Sequence, residues 1–279
     1  MIDSHVHTHY SKHAEGSVED IVIAAIANNI KILTITDHAP YPVDSNNRLL
    51  ESELILYFDE IKAISKKYAK KIDVFVGLEV DFHPDKIDYI KNILQKVKID
   101  FVIGAIHYVY IKGEKINVWD IDNLYNQPFI SEYFNYLDAL IESELFDTIA
   151  HPDTILRGGI ESCVYQQYFS ELIPKMLRYD ISYELNCSGF RKSVYDPINK
   201  TKSKKICVYP NKDVVADFNK KGGTFTIGSD AHNPLDVGLG IKEQLIICKK
   251  NNIEFICYYK ERHKVKVKVE KLLGSINSK

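Results

Sequence analysis

Along the chain, short runs of Val, Ile and Leu alternate with longer stretches whose apolar residues return every three or four positions. The short runs have the length and β-branched content of buried strands, and the longer ones have the period of amphipathic helices. Strands are predicted over 2–6, 31–38, 73–81, 100–107, 146–151, 181–186, 224–232 and 255–259. Helices are predicted over 18–28, 52–70, 86–96, 130–143, 164–179, 212–221 and 236–251. Ser17 with Asp20 three residues on reads as a capped helix start, with Ile21, Ala24, Ala25 and Asn28 along one face. Ala39-Pro40 stops the second strand. A long connection over 108–128, which carries Trp119, and a polar insertion over 192–209 receive no element. In the basic tail from Lys260, Lys and Val alternate as in a strand, but the pattern does not place it.

Strands of buried type alternating with helices imply βαβ units and a parallel sheet. Seven or eight such units follow one another without a linker. That order suits a barrel better than two doubly wound halves. The expectation is a single α/β domain over 1–279, built as a distorted barrel.

In such barrels functional side chains stand at the C-terminal ends of the strands. Here those ends carry His5 and His7, His38, Glu79, His107, His151, Asp230 and His232. His5 and His7 are two apart in an extended run, so both imidazoles face one side. His13 follows after a turn and can reach the same place. A lone histidine at a strand end is usually a core or surface residue, but this convergence, next to two acids, points to a shared metal site.

Composition narrows the setting. The 279 residues are 45% hydrophobic and 27% charged, as in ordinary globular proteins, and the net charge is −2. There is therefore no bulk electrostatic case for nucleic acid or membrane partners. No apolar run reaches the roughly 18 residues of a membrane span, and no signal peptide is read, so a cytoplasmic protein is expected. The five cysteines, 163, 187, 207, 248 and 257, form no Cys-x-x-Cys pair. They argue against a disulfide framework or a thiolate zinc site and for reduced, mostly packed thiols.

Taken together, His5-Val-His7-Thr8, Thr36-Asp-His38, Gly77-Leu-Glu79-Val, Ala105-Ile-His107, Ala150-His151-Pro and Gly228-Ser-Asp230-Ala-His232 resemble the PHP (polymerase and histidinol phosphatase) superfamily over the whole chain. Within it, Thr-Asp-His-Ala-Pro, Gly-Leu-Glu-Val-Asp-Phe, Asn186-Cys-Ser-Gly-Phe-Arg-Lys192 and Tyr209-Pro are most similar to the stand-alone histidinol-phosphatases. The resemblance implies a distorted (β/α)7 barrel with three divalent metal ions, zinc, manganese or iron. It implies that His5, His7, Glu79 and Asp230 hold one ion, that Glu79 bridges to a second held with His107 and His151, and that His13, His38 and His232 hold the third. Some relatives carry an aspartate near position 13, which leaves Glu15 as the alternative ligand there.

The implied activity is hydrolysis of L-histidinol phosphate to L-histidinol and phosphate, a step of histidine biosynthesis, by a metal-bound hydroxide at the trinuclear centre. The three ions would bring six positive charges against Glu79, Asp230 and a bridging hydroxide, so the pocket favours an anion. Ions of this kind also lower the pKa of bound water. Arg157 and Arg191 follow strand ends, and guanidinium suits a phosphate. In the resembling phosphatases, arginines at the matching places hold it. Asp153, just past His151-Pro152, is the candidate to protonate the leaving alkoxide or to bind the substrate amine, with Glu114 second for the amine. A helix N-cap is the competing role for Asp153. His9 and His83 match no ligand position, and His263 is expected in solvent. The alternatives are a PHP phosphoesterase for a nucleotide or sugar phosphate, and a PHP module serving a polymerase. The intact ligand set and the lack of an attached polymerase region speak against the latter. The expected partner is a small phosphate ester. Homo-oligomer formation stays open.

Overall fold

The computed structural model describes residues 1–42, 46–120, 127–196, 199–204 and 207–274. Seven strands form one parallel sheet in the order β1 (Ile2–Val6), β2 (Ile32–Ile35), β3 (Asp73–Asp81), β4 (Phe101–Ala105), β7 (Thr148–Ile149), β8 (Ser182–Asn186) and β11 (Phe225–Gly228). Between them run α1 (Val18–Ala27), α2 (Leu54–Tyr68), α3 (Ile87–Gln95), α4 (Gln127–Glu142), α5 (Ser162–Arg178) and α6 (Lys212–Lys220), and α7 (Ile241–Lys250) follows β11. Every residue of β1, β4 and β8 is buried, as expected of parallel strands covered on both faces. The expected cap of α1 is present: Ser17 Oγ accepts from the Asp20 N–H, and the Ser17 N–H donates to the Asp20 carboxylate.

The sheet curls until its two edges meet. Val6 bridges Ala231, the His7 N–H donates to the Ala231 carbonyl (2.8 Å), and the Asp230 N–H donates to the His5 carbonyl (2.8 Å). Closure is tightened by the buried Asp3 carboxylate, which accepts from the Ser229 N–H and Oγ–H and from the Gly238 N–H. The seam of the barrel is thus built from the residues beside His5, His7 and Asp230. Gly228 permits it, because a Cβ there would stand 2.3 Å from His5 Cβ.

Three stretches depart from expectation. The connection after β4 contains a hairpin, β5 (Tyr108–Ile111) and β6 (Glu114–Asn117), turned by Lys112 and Gly113 at φ 51° and 86°. The polar insertion contains a second, β9 (Ser193–Asp196) paired with β10 (Thr201–Lys204). The strand near 255 does not join the barrel. As β12 (Phe255–Lys260) it pairs antiparallel with β13 (His263–Lys268) in the tail, and α8 (Val269–Gly274) follows. This last hairpin covers the N-terminal ends of the barrel strands. Tyr259 stacks on Phe101 and its hydroxyl donates to the Asp147 carbonyl (2.9 Å), while Arg262 Nε meets Asp147 Oδ2 at 2.6 Å. Among the described residues, no helix is long and apolar enough to cross a membrane.

Candidate metal centre and phosphate pocket

At the C-terminal ends of the strands lies a pocket of about 430 Å³, lined by His13, His38, Glu79, His107, Trp119, His151, Arg191, Lys192, Asp230, His232 and Asp236. His5 and His7 form its floor, buried beneath Glu79 and Asp230. Two of these residues leave ordinary backbone geometry: His151 has φ 26° and Asp230 φ 54°. Non-glycine residues held there cost on the order of 1–3 kcal/mol each and persist where the surroundings impose them. These turns end strands that the sequence pattern extends through His151 and His232, and they swing both side chains inward.

Glu79 is the hub. Its Oε1 lies 2.9 Å from His151 Nε2 and 3.5 Å from His107 Nε2. Its Oε2 lies 2.8 Å from His38 Nδ1 and 3.5 Å from both His5 Nε2 and His7 Nε2. Each oxygen thus faces its own set of imidazoles. Asp230 Oδ1 stands 3.4 Å from His7 Nε2 and 3.7 Å from His5 Nε2. Three groups of donors each converge within 4.8 Å: His5, His7 and Asp230; His38, Glu79 and His107; and His7, His38 and His232. His13 stacks beside the last group, its ring 4.8 Å from that of His232 and 5.2 Å from that of His38. Glu15 stands off the pocket wall and accepts from Asn233 instead (2.8 Å).

The outer nitrogens explain why the inner ones can bind metal. His5 Nδ1 meets Glu184 Oε1 at 2.6 Å, His107 Nδ1 meets Asp81 Oδ1 at 2.5 Å, and His7 Nδ1 meets Ser11 Oγ at 3.1 Å. Ser11 Oγ donates to Asp37 (2.6 Å), so its lone pairs are left to accept from His7. Carboxylate and hydroxyl acceptors of this kind fix the tautomer and direct Nε2 to the ion. His5 Nε2 and His7 Nε2 are 3.0 Å apart, close to the about 3.3 Å between two nitrogens on one tetrahedral ion at ~2.05 Å. His151 Nδ1 is buried with no hydrogen-bond partner among the described residues. The donor set is nitrogen and oxygen without thiolate, which fits zinc, manganese or iron.

The electrostatics fit a site built for cations. Burial pushes the His7 and His13 imidazoles down, and neighbouring histidines push them further. His232 falls to about 4, where burial, His38 and His13 outweigh Asp230. Burial opposes charge on His5 and His107 too, but Glu184, Glu79 and Asp230 hold His5 well above its usual value, and Asp81 with Glu79 holds His107 at about 8. In the metal-free chain, protons on these two rings offset carboxylates that a metal would otherwise neutralise.

Beside the imidazoles stands a cationic wall. Arg191 Nη2 donates to the Ser229 carbonyl (2.9 Å), while its Nη1 is buried without a hydrogen-bond partner among the described residues. Arg157 lies behind Trp119, its guanidinium carbon 4.6 Å from the ring centroid, and its Nε and Nη1 are likewise buried and unpartnered. Lys192 Nζ lies 5.0 Å from the same indole. Burial pushes the Lys192 ammonium below its usual value, helped by both arginines and opposed by Asp230 and Asp236.

The model of the PHP domain family matches residues 3–188. The chain belongs to the PHP domain family. A probable histidinol-phosphatase of Deinococcus radiodurans is 32% identical over 254 residues, covering 85% of this chain and 88% of that protein. The histidinol-phosphatase of Lactococcus lactis is 26% identical over 261 residues, 89% of this chain and 90% of that one. A crystal structure of histidinol phosphate phosphatase from Lactococcus lactis, complexed with zinc, L-histidinol and phosphate, superposes with a TM-score of 0.78 at 22% identity, covering 95% of this chain and 98% of that chain. The PHP match ends before Arg191, Asp230 and His232. Closure of the barrel nevertheless returns all three to the pocket.

The structure brings together all nine candidate ligands and Arg191, with Arg157 one indole ring away. It does not bring Asp153 to the wall. That residue is fully buried, and its Oδ2 accepts from the Tyr183 hydroxyl and the Asn211 N–H, both at 2.5 Å. It makes no side-chain cap bond either. Burial raises its carboxyl to about 6. The reason is that the chain turns at His151, so the residue two further on points behind the pocket and ties β8 to the segment before α6. Glu114 is exposed at the tip of the β5–β6 hairpin and is not part of the wall. His83 hydrogen-bonds Tyr136 (3.0 Å), outside the cluster. Sequence reasoning missed Glu184, Asp81, Ser11, Arg48, Lys192 and Asp236. Asp81 and Glu184 were detectable in principle, since each lies two residues from a motif residue on the same strand face. Arg48, which holds Asp81 Oδ2 at 2.6 Å, comes from a polar loop with no such signal.

Proposed function

We propose that this chain hydrolyses L-histidinol phosphate to L-histidinol and inorganic phosphate at a centre of three divalent ions. It is a metal-dependent phosphatase of the PHP domain family, and the names of its relatives support the substrate and a place in histidine biosynthesis. The Lactococcus protein, with its bound zinc, L-histidinol and phosphate, supports the same reading. The observation that carries it is the pairing of the imidazole–carboxylate cluster with two arginines, of which Arg191 Nη1 and Arg157 Nε and Nη1 are buried without an acceptor among the described residues. A buried donor left without a partner costs on the order of 1–3 kcal/mol, and a phosphate dianion meets that need with charge-assisted bonds.

His5, His7 and Asp230 would hold one ion, with Glu79 turning one oxygen toward them. Its other oxygen, with His107 and His151, would hold a second. His38, His232 and His13 would hold the third. Divalent ions in this setting supply Lewis acidity and an activated water nucleophile at neutral pH. The chain's own groups do the rest. Glu184, Asp81 and Ser11 hold the imidazoles in the binding tautomer, Arg191 orients the phosphate and counters its charge as the ester bond breaks, and Arg157 adds positive charge from behind Trp119, within reach of the phosphate only if that ring moves aside.

The test is phosphate release from histidinol phosphate against a panel of nucleotides, sugar phosphates and an aryl phosphate. The expected result is a kcat/KM for histidinol phosphate well above every other ester. An aryl or sugar phosphate cleaved as efficiently would overturn the substrate and leave a general phosphoesterase.

A further inference from the structure

Histidinol phosphate carries an ammonium group on the carbon next to the ester carbon. A pocket dressed with metals, Arg191 and Lys192 repels that group, so selective binding needs a carboxylate that is not already committed. Glu79 and Asp230 are committed, each lying within 4 Å of several imidazole nitrogens. Asp153 and Glu114 are off the wall. Asp236 is on it. The residue sits at the end of the short turn Pro234–Asp236 that follows His232. Its backbone is tied down, the N–H donating to the Asn233 carbonyl (2.9 Å) and the carbonyl accepting from the Leu239 N–H (3.0 Å). The carboxylate makes no hydrogen bond or salt bridge among the described residues; the charge it faces is the Lys192 ammonium. Pro234 is held in turn against Gly16, where an added Cβ would lie 2.7 Å from the proline ring. A fixed backbone thus presents a carboxylate without a hydrogen-bond partner to the cavity that also holds Arg191 and Lys192.

Resting on the proposed reading, we infer that Asp236 is the specificity-determining residue that receives the substrate ammonium, as the negative group of the wall that also carries Arg191 and Lys192. The ammonium keeps its charge through the reaction. Its contact with Asp236 is therefore equal in ground and transition states, and its loss belongs in KM, not in kcat.

The experiment compares wild type with Asp236→Asn, which keeps the shape, on two substrates: histidinol phosphate and its analogue lacking the amine. Folding is checked by thermal melting and metal content by elemental analysis. For histidinol phosphate, KM should rise on the order of tenfold to a hundredfold, the range of a lost charge-assisted hydrogen bond, with kcat within about threefold of wild type. For the analogue, KM should stay near the wild-type value. Equal losses on both substrates would overturn the inference, because Asp236 would then act through Lys192 or the turn. No change on either would overturn it as well. If wild type cleaved neither substrate, the proposed function would fail first and the inference with it. If wild type selected the amine and Asp236→Asn selected it equally, only the inference would fail.

Discussion

Replacing Glu184 with Gln removes one charge and changes almost no volume, yet its consequences can be worked out atom by atom. Glu184 is 1% exposed. Its Oε1 accepts from His5 Nδ1 (2.6 Å), and its Oε2 accepts from the His151 N–H (2.7 Å) and from Asn186 Nδ2 (3.0 Å). All three partners are donors, and a glutamine amide has only one acceptor to offer. If its oxygen faces His5, its NH2 meets the His151 N–H and the Asn186 amide in a buried donor–donor contact. If the NH2 faces His5, the imidazole must move its proton to Nε2, the atom that points at the metal. Neither orientation can be relieved by water, because the side chain is buried. One charged hydrogen bond lost in this setting is worth about 1.5–3 kcal/mol. Altered outer partners of metal-binding histidines typically cost 10–100-fold in affinity, or about 1.4–2.8 kcal/mol, so the two routes agree. Competition with a chromophoric chelator should show Glu184→Gln binding its tightest ion 10–100-fold more weakly, with excess metal recovering much of the phosphate release. A variant that holds metal as tightly as wild type would refute the tautomer argument.

Arg191→Ala should raise KM, lower kcat and weaken inhibition by inorganic phosphate while leaving metal content unchanged. The loss in kcat/KM should be on the order of 2–4 kcal/mol, the scale for one preorganised donor; a fall in bound metal would instead make Arg191 a structural residue. Glu79→Gln should lower the number of ions per chain along with activity, since each carboxylate oxygen faces a different set of imidazoles; full metal with near-normal turnover contradicts a bridging role. In the chelated protein, His107 has a folded value of about 8, above the ordinary 6.5. Its contribution to stability is therefore complete below about pH 6.5 and lost as pH rises through about 8, on the order of 2 kcal/mol in all. The melting-temperature difference between chelated wild type and His107→Gln should shrink from pH 6 to pH 9; a constant difference rejects the His107–Asp81 pairing as its source.

Much of this was legible before the structure, for physical reasons. Parallel strands buried on both faces leave continuous Val, Ile and Leu runs, and metal ligands stand where those runs stop. Both signals are local. The β5–β6 hairpin was missed although Lys112-Gly113 is a turn pair, because Tyr-Val-Tyr-Ile before it and Glu-Lys-Ile-Asn after it show no period-2 alternation. The β12–β13 pair was missed because its partner strand is a Lys-Val alternation whose role is to cover the far end of the barrel, and covering is a tertiary fact. Asp153 shows the opposite error. It is adjacent in sequence to His151, but the positive φ at His151 sends it behind the pocket. Asp236, four residues past His232, arrives at the wall only through the Pro234 turn against Gly16. Sequence spacing locates residues on strands well and residues on irregular turns poorly.

On the proposed reading, the nine converging ligands hold several ions, and those ions are required for phosphate release. Elemental analysis of the purified active protein, paired with histidinol phosphate turnover on the same sample, tests it most directly. Three first-row ions per chain are expected, with activity abolished by chelation and returning in step with metal as ions are added back. An active chain carrying at most one ion, or full turnover after complete chelation, would contradict it.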